Sequence, residues 1–161
     1  MKIRIISRDD LNKVLTMKEV IPAVKEAYIA LSAGQAVMPT RLQIPVKKAQ
    51  GVTLLMPAYL PSENALGTKI VSVFPENIKK YNCPTIQAVF LLLSAETGQP
   101  LALIEAASLT ALRTGAASGV ATELLARPEA KVAAIFGAGV QGRTQLQAIS
   151  QVRSLEKVLV Y

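Results

Sequence analysis

The spacing of apolar residues along the chain changes twice, and each change marks a change of element. Lys2 to Ile6 alternates like a short strand, and Ser7-x-x-Asp10 has the form of a capping box, with Asp in place of the usual Glu, ahead of a short helix through Val14. Thr16-x-x-Glu19 repeats that signature. Behind it Val20, Val24, Ala27, Tyr28 and Leu31 fall on one face at helical spacing, and Gly34 suits the C′ position. Pro22 lies in the early turns, where its missing N–H removes little or produces a kink. From Arg41 to Ala106 the period becomes that of strands. Arg41 to Ile44, Val52 to Met56, Thr68 to Phe74 and Thr85 to Leu93 are β segments punctuated by Pro, Gly and Asn. Ser94 to Pro100 reads as the connection of an antiparallel hairpin that returns along Leu101 to Glu105.

Helical character resumes at Ser108 and runs to Ala126, rich in Ala and interrupted by Gly115 and Gly119. Each glycine costs about 1 kcal/mol of helix propensity, which marks a face that needs close backbone approach. Arg127-Pro128-Glu129 ends this helix. Val132 to Phe136 then forms a strand leading into Gly137-Ala138-Gly139-Val140-Gln141-Gly142, a helical stretch, and a second apolar run, Val158 to Tyr161. Strand, G-x-G-x-x-G turn, helix and strand open a dinucleotide-binding fold. In that pattern Gly137 permits the tight turn and Gly139 lets the backbone approach a pyrophosphate. Gly142 lets the helix pack on the strand, while the helix N-terminus faces negative charge. The acid that contacts the ribose, about 20 residues on, would fall just past Tyr161, so NAD and NADP are not distinguished. A lone β-α-β pair leaves open strand edges and covers one sheet face, which makes it an incomplete domain. The expected fold class is α/β, with an N-terminal α+β domain over residues 1–127 and the first β-α-β of a truncated Rossmann domain over 128–161.

Composition narrows the class. The 161 residues are 51% apolar, ample for a packed core, and the net charge of +7 is spread along the chain with pairs only at Lys47-Lys48 and Lys79-Lys80. Without basic-aromatic interleaving, an anionic cofactor and a carboxylate substrate account for that charge more simply than nucleic acid. The single Cys83 excludes an internal disulfide, and no N-terminal segment has the order of a signal peptide, so a cytoplasmic location is expected. No apolar run approaches the roughly 18 residues of a membrane helix. Zero histidine removes the commonest general acid-base and, with one cysteine, leaves no metal site to propose.

Three cations stand in unusual settings. Arg113 interrupts a helix of small and apolar residues, where a guanidinium must face water, a carboxylate or an anionic ligand, and Thr114 and the glycines beside it leave room for a ligand. Lys69 lies between Gly67-Thr68 and Ile70-Val71. It is either a strand-edge lysine or an inward cation able to polarise a carbonyl or bind a carboxylate. Arg41, after Met38-Pro39-Thr40, is a weaker third. One shared anionic ligand would explain all three.

Met56-Pro57-Ala58-Tyr59, Gly67 to Ser72, Pro84-Thr85-Ile86-Gln87-Ala88, Glu96 to Leu101, Leu109 to Ala117 and Gly137 to Gly142 occur in an order that resembles the ornithine cyclodeaminase/mu-crystallin family over nearly the whole chain. The resemblance implies a substrate and dimerisation domain joined to a Rossmann domain, in chains roughly twice this long. It also implies an NAD- or NADP-dependent enzyme acting on the C–N bond of a small amino or imino acid, as a homodimer. Carried over by motif, Arg41, Lys69 and Arg113 hold and polarise the substrate. Thr85 lines the nicotinamide pocket, and Arg113, Thr114, Gly137, Ala138, Gly139, Val140, Gln141 and Gly142 contact the cofactor. Cyclodeaminases of the family carry a Glu two residues before Met-Pro, where this chain has Leu54. That departure favours a ketimine reductase or an alanine dehydrogenase over ornithine cyclodeaminase. A non-catalytic ligand-binding protein of the mu-crystallin type is the alternative from another class.

Overall fold

The computed structural model describes residues 2–161. It divides into two compact units, one comprising the N-terminal residues through Leu11 together with Ala30–Ala107, the other Asn12–Ile29 together with Ser108–Tyr161. The expected boundary after residue 127 thus lies inside the second unit, because the helix expected from Ser108 belongs with the glycine loop.

The first unit is built on a six-stranded sheet. Its strands are β1 (Arg4–Ile6), β2 (Leu42–Val46), β3 (Gly51–Leu60), β4 (Ala65–Val73), β5 (Ile86–Ser94) and β6 (Pro100–Glu105), in the spatial order β1-β6-β5-β4-β3-β2. All neighbours are antiparallel except β1, which adds parallel to β6. The prolines fit edges. Pro45 lies in the outermost strand, and Pro57 follows the last β2–β3 pair, Leu42 with Leu55, so neither withholds a needed donor. The β5–β6 hairpin closes as its sequence indicates, with Gly98 at φ 71° and the Gly98 N–H donating to the Ser94 carbonyl at 2.9 Å.

Both capping boxes form. The Asp10 carboxylate accepts the Ser7 N–H at 3.0 Å and the Ser7 hydroxyl at 2.6 Å, at the start of α1 (Arg8–Val14). The Glu19 carboxylate does the same for Thr16 at 2.9 and 2.6 Å, at the start of α2 (Met17–Ser32). The Thr16 hydroxyl, followed by its backbone N–H, holds the Glu19 carboxyl below its ordinary value. Gly34, at φ 70°, ends α2, and Gln35 N–H donates back to the Ala30 carbonyl at 2.8 Å in a Schellman closure. A short helix, α3 (Asn77–Tyr81), which the sequence pattern does not announce, closes on Asn82 in the left-handed region.

In the second unit, α4 (Ala106–Leu125) supplies the long helix and β7 (Val132–Ile135), α5 (Val140–Val152) and β8 (Lys157–Val160) form the β-α-β. The helix begins two residues earlier than its apolar pattern indicates, because Glu105 caps it by accepting the Ala107 N–H at 2.8 Å. Strands β7 and β8 pair in parallel from Val132–Lys157 to Ile135–Val160. The core joins Met17, Val20 and Ile21 of α2 to Ala116 and Val120 of α4 and Ala148 of α5. Gly115 and Gly119 explain themselves here. A Cβ on Gly115 would lie 2.5 Å from the Thr144 carbonyl oxygen, and one on Gly119 would meet Ile21 and Ala148 at 3.1–3.2 Å. Small residues therefore let α4 and α5 run in the same direction with their backbones nearly touching.

Candidate functional site

The glycine loop divides its tasks as the motif requires. Gly137 has φ 96°, a left-handed backbone, and turns the chain out of β7. A Cβ on Gly139, the N-cap of α5, would meet nothing within 4 Å, so the backbone is open to a ligand at the helix N-terminus. Gly142 is the closed position. A Cβ there would collide with the Gly137 carbonyl oxygen and press Ile135 at 3.3 Å, so only glycine lets α5 start this close to the strand. The Gly137 N–H donates to the Tyr161 carbonyl at 2.8 Å, tying the loop to the end of β8. Backbone N–H groups at a positive helix end, with open space where a Gly139 Cβ would stand, suit a dinucleotide pyrophosphate.

Arg113 and Thr114 lie in the same unit. Because Gly115 meets Thr144 and Gly119 meets Ala148, the two helices advance together, and Arg113 stands at the height of Gly142 in the first turn of α5. Two residues of α-helix turn about 200°, so Arg113 is on the side of α4 away from that seam, whereas Thr114 is about 100° from it. The Arg113 side chain is exposed. The Thr114 hydroxyl is committed, donating to the Thr110 carbonyl at 2.6 Å.

In the first unit the register places Lys69. It pairs with Met56 on β3 and with Phe90 on β5, and Phe90 continues to Ile104 on β6. Arg41 immediately precedes Leu42, whose partner is Leu55, so it stands at the level of Met56 at the end of the same row. Two strand spacings separate Arg41 from Lys69 across the sheet, roughly 10 Å, within reach of two long cationic side chains. Lys69 is half-buried and sits in the sheet interior, which sets aside the strand-edge alternative. Its face also carries the buried Gly67, Val71 and Ala102. Phe90 packs over Gly67, where a Cβ would strike the ring and lie 2.7 Å from the Leu91 carbonyl oxygen. Leu54 shares this face as the partner of Val71. Thr85 precedes β5, its carbonyl accepting the Phe74 N–H at 2.8 Å, five residues along from Phe90 and thus in a different part of the sheet. Among the described residues no group of His, Cys, Asp and Glu could hold a metal ion, and no helix is long and apolar enough to cross a membrane.

Sequence reasoning missed Arg153, which follows α5. Its guanidinium donates to the carbonyls of Thr122 at 2.9 Å, Glu123 at 3.2 Å, Ala126 at 2.8 Å, Arg127 at 3.2 Å and Val152 at 2.7 Å. A cation at a helix C-terminus was the only available signal, and it does not reveal a second helix as the recipient.

A six-stranded sheet carrying Lys69, and a β-α-β with an open glycine loop, have the form of a dinucleotide-binding α/β protein. The ornithine cyclodeaminase/mu-crystallin family model matches residues 1–161, and the chain belongs to that family, as its motif order implies. It is 41% identical over 157 residues to a Delta(1)-pyrroline-2-carboxylate reductase of Bacillus cereus, covering 98% of this chain and 48% of that one. It superposes on the Thermococcus litoralis Delta(1)-pyrroline-2-carboxylate reductase, solved in complex with NADH and L-proline, with a TM-score of 0.92 and 52% identity, covering 99% of this chain and 49% of that one. An archaeal alanine dehydrogenase dimer with bound NAD gives a TM-score of 0.93 at 36% identity, covering 100% and 49%. The chain spans about half the length of the curated relatives it matches.

Proposed function

We propose that the protein is an NAD(P)-dependent oxidoreductase acting on the C–N bond of a small amino or imino acid, of the ketimine reductase or alanine dehydrogenase type. The observation that carries this reading is the glycine loop, open at Gly139 and closed at Gly142. When bound, the nicotinamide supplies or accepts the hydride. The backbone N–H groups from Gly139 to Gly142 and the N-terminus of α5 hold the pyrophosphate. Arg113, with Thr114 beside it in α4, serves both the cofactor and the substrate carboxylate, and Thr85 the nicotinamide pocket. In the sheet, Lys69 and Arg41 fix a carboxylate, and the Lys69 ammonium draws electron density from the adjacent C=N carbon so that it accepts hydride.

Leu54 favours a ketimine reductase or alanine dehydrogenase over a cyclodeaminase. It occupies the face of Lys69 with an apolar side chain where cyclodeaminases carry a Glu, so a substrate with a second, distal ammonium finds no carboxylate there. Similarity to pyrroline-2-carboxylate reductases and an alanine dehydrogenase over nearly the whole chain supports the same choice, and the Thermococcus complex with NADH and L-proline supports pyrroline-2-carboxylate as the substrate to try first. A homodimer belongs to this reading. So does a cytoplasmic location, supported by the free, exposed thiol of Cys83.

Lys69→Ala in the full-length protein tests the assignment. Turnover should fall by roughly a hundredfold or more while the urea midpoint moves little. A parallel loss of folding and activity would make Lys69 a structural residue.

A further inference from the structure

The seam between α4 and α5 is lined by Gly115 and Gly119, and glycine gives close approach without interlocking ridges. Such a contact sets how near two helices lie, but resists sliding and rotation weakly. Beyond the core that α2 shares with both helices, directional resistance comes from the far end of the seam. There Arg153, at the C-cap of α5, reaches across to four carbonyls at and just past the end of α4: Thr122, Glu123, Ala126 and Arg127. Its remaining bond goes to Val152 at the end of its own helix. The planar fork is satisfied by main-chain oxygens at two negative helix ends, a geometry that a flexible single-point ammonium cannot reproduce. Bonds to carbonyls on successive residues of α4 fix both its height and its rotation. A continuous helix carries that placement to Arg113, about 14 Å up the axis from Thr122 at 1.5 Å per residue.

We infer that Arg153 is a positioning residue: by holding the C-terminal carbonyls of α4 against the end of α5, it sets the height and rotation at which Arg113, on the side of α4 away from the seam, meets its anionic ligand. This inference rests on the proposed role of Arg113, and the test separates the two. In the full-length protein R113K, R153Q, R153K and the double variant R113K/R153Q are compared for kcat and for the KM of NADH and of pyrroline-2-carboxylate, at a temperature where circular dichroism shows all four folded. R113K should raise one KM, and R153Q should raise that same KM by roughly fivefold, with R153K in between. In the double variant the R153Q increment should largely disappear, because an Arg113 already replaced has no placement left to lose.

If R153Q changes thermal stability but neither KM, Arg153 is a structural clamp and the inference is overturned. A full R153Q increment on the R113K background overturns it too, while leaving the role of Arg113 standing. If R113K raises neither KM, the role assigned to Arg113 fails, and the positioning role fails with it.

Discussion

At the scale of single residues, the three motif glycines have separable consequences because each answers a different physical demand. Gly139 is open and has φ −74°, so alanine there fits the backbone and leaves stability within about 0.5 kcal/mol. Its methyl group would nevertheless stand where a pyrophosphate approaches. Gly142→Ala meets the Gly137 carbonyl, a backbone atom that cannot turn aside, and should cost roughly 2 kcal/mol or more. Gly139→Ala is therefore expected to weaken NADH binding with an unchanged unfolding midpoint, and Gly142→Ala to lower that midpoint. Calorimetric titration beside urea unfolding checks both, and the reverse order would mean that the loop is not a phosphate cradle. The sequence predicted these roles from spacing alone, since the motif encodes backbone demands that only glycine meets. Lys69 was legible as an unusual cation, but its interior place in the sheet was not, because strand order is fixed by long-range pairing. Arg153 was invisible for a similar reason, as its partners lie about 30 positions earlier in the chain.

Among the elements, α4 shows how packing overrides propensity. Alanine at an exposed helix glycine gains up to about 1 kcal/mol. Gly115→Ala should instead destabilise, because its methyl group would lie 2.5 Å from the Thr144 carbonyl oxygen and force α4 and α5 apart. Gly119→Ala meets only side-chain carbons at 3.1–3.2 Å and should cost less. Chemical denaturation of the two variants decides the order, and stabilisation by Gly115→Ala would show that the helices do not touch there in solution. The strands were legible as β segments, with ends within a few residues of those observed. The exceptions are informative. β3 reaches Leu60 because Pro57 lies beyond the last β2 partner, and α4 starts early because Glu105 caps it, contexts that apolar periodicity does not record.

For the whole molecule, the two faces of the six-stranded sheet differ. One carries Lys69 with the buried Gly67, Val71 and Ala102. The other presents rows running Leu42–Leu55–Ile70–Val89 and Pro57–Thr68–Leu91–Leu103–Ile5, in which Leu42 is 59% and Ile5 81% exposed. These rows, beside a polar row of Thr53, Ser72 and Gln87 and ending at Glu105, leave exposed apolar surface that a second copy of itself across a two-fold axis would most simply cover. Ile70→Asp, at the centre of the first row, should convert a dimer into a monomer in sedimentation velocity at tens of micromolar. A wild-type monomer would contradict the dimer, and a variant that stays dimeric would place the interface elsewhere.

Net oxidation of the cofactor tests the central claim most directly. The full-length protein is assayed at 340 nm with NADH and NADPH against Delta(1)-pyrroline-2-carboxylate, against pyruvate with ammonia, and with ornithine plus NAD. Stoichiometric loss of reduced cofactor as proline or alanine forms is the expected result, with no proline made from ornithine. Proline and ammonia from ornithine without net change in cofactor would make the protein a cyclodeaminase despite Leu54, and no turnover with any of the three would contradict the assignment as an oxidoreductase.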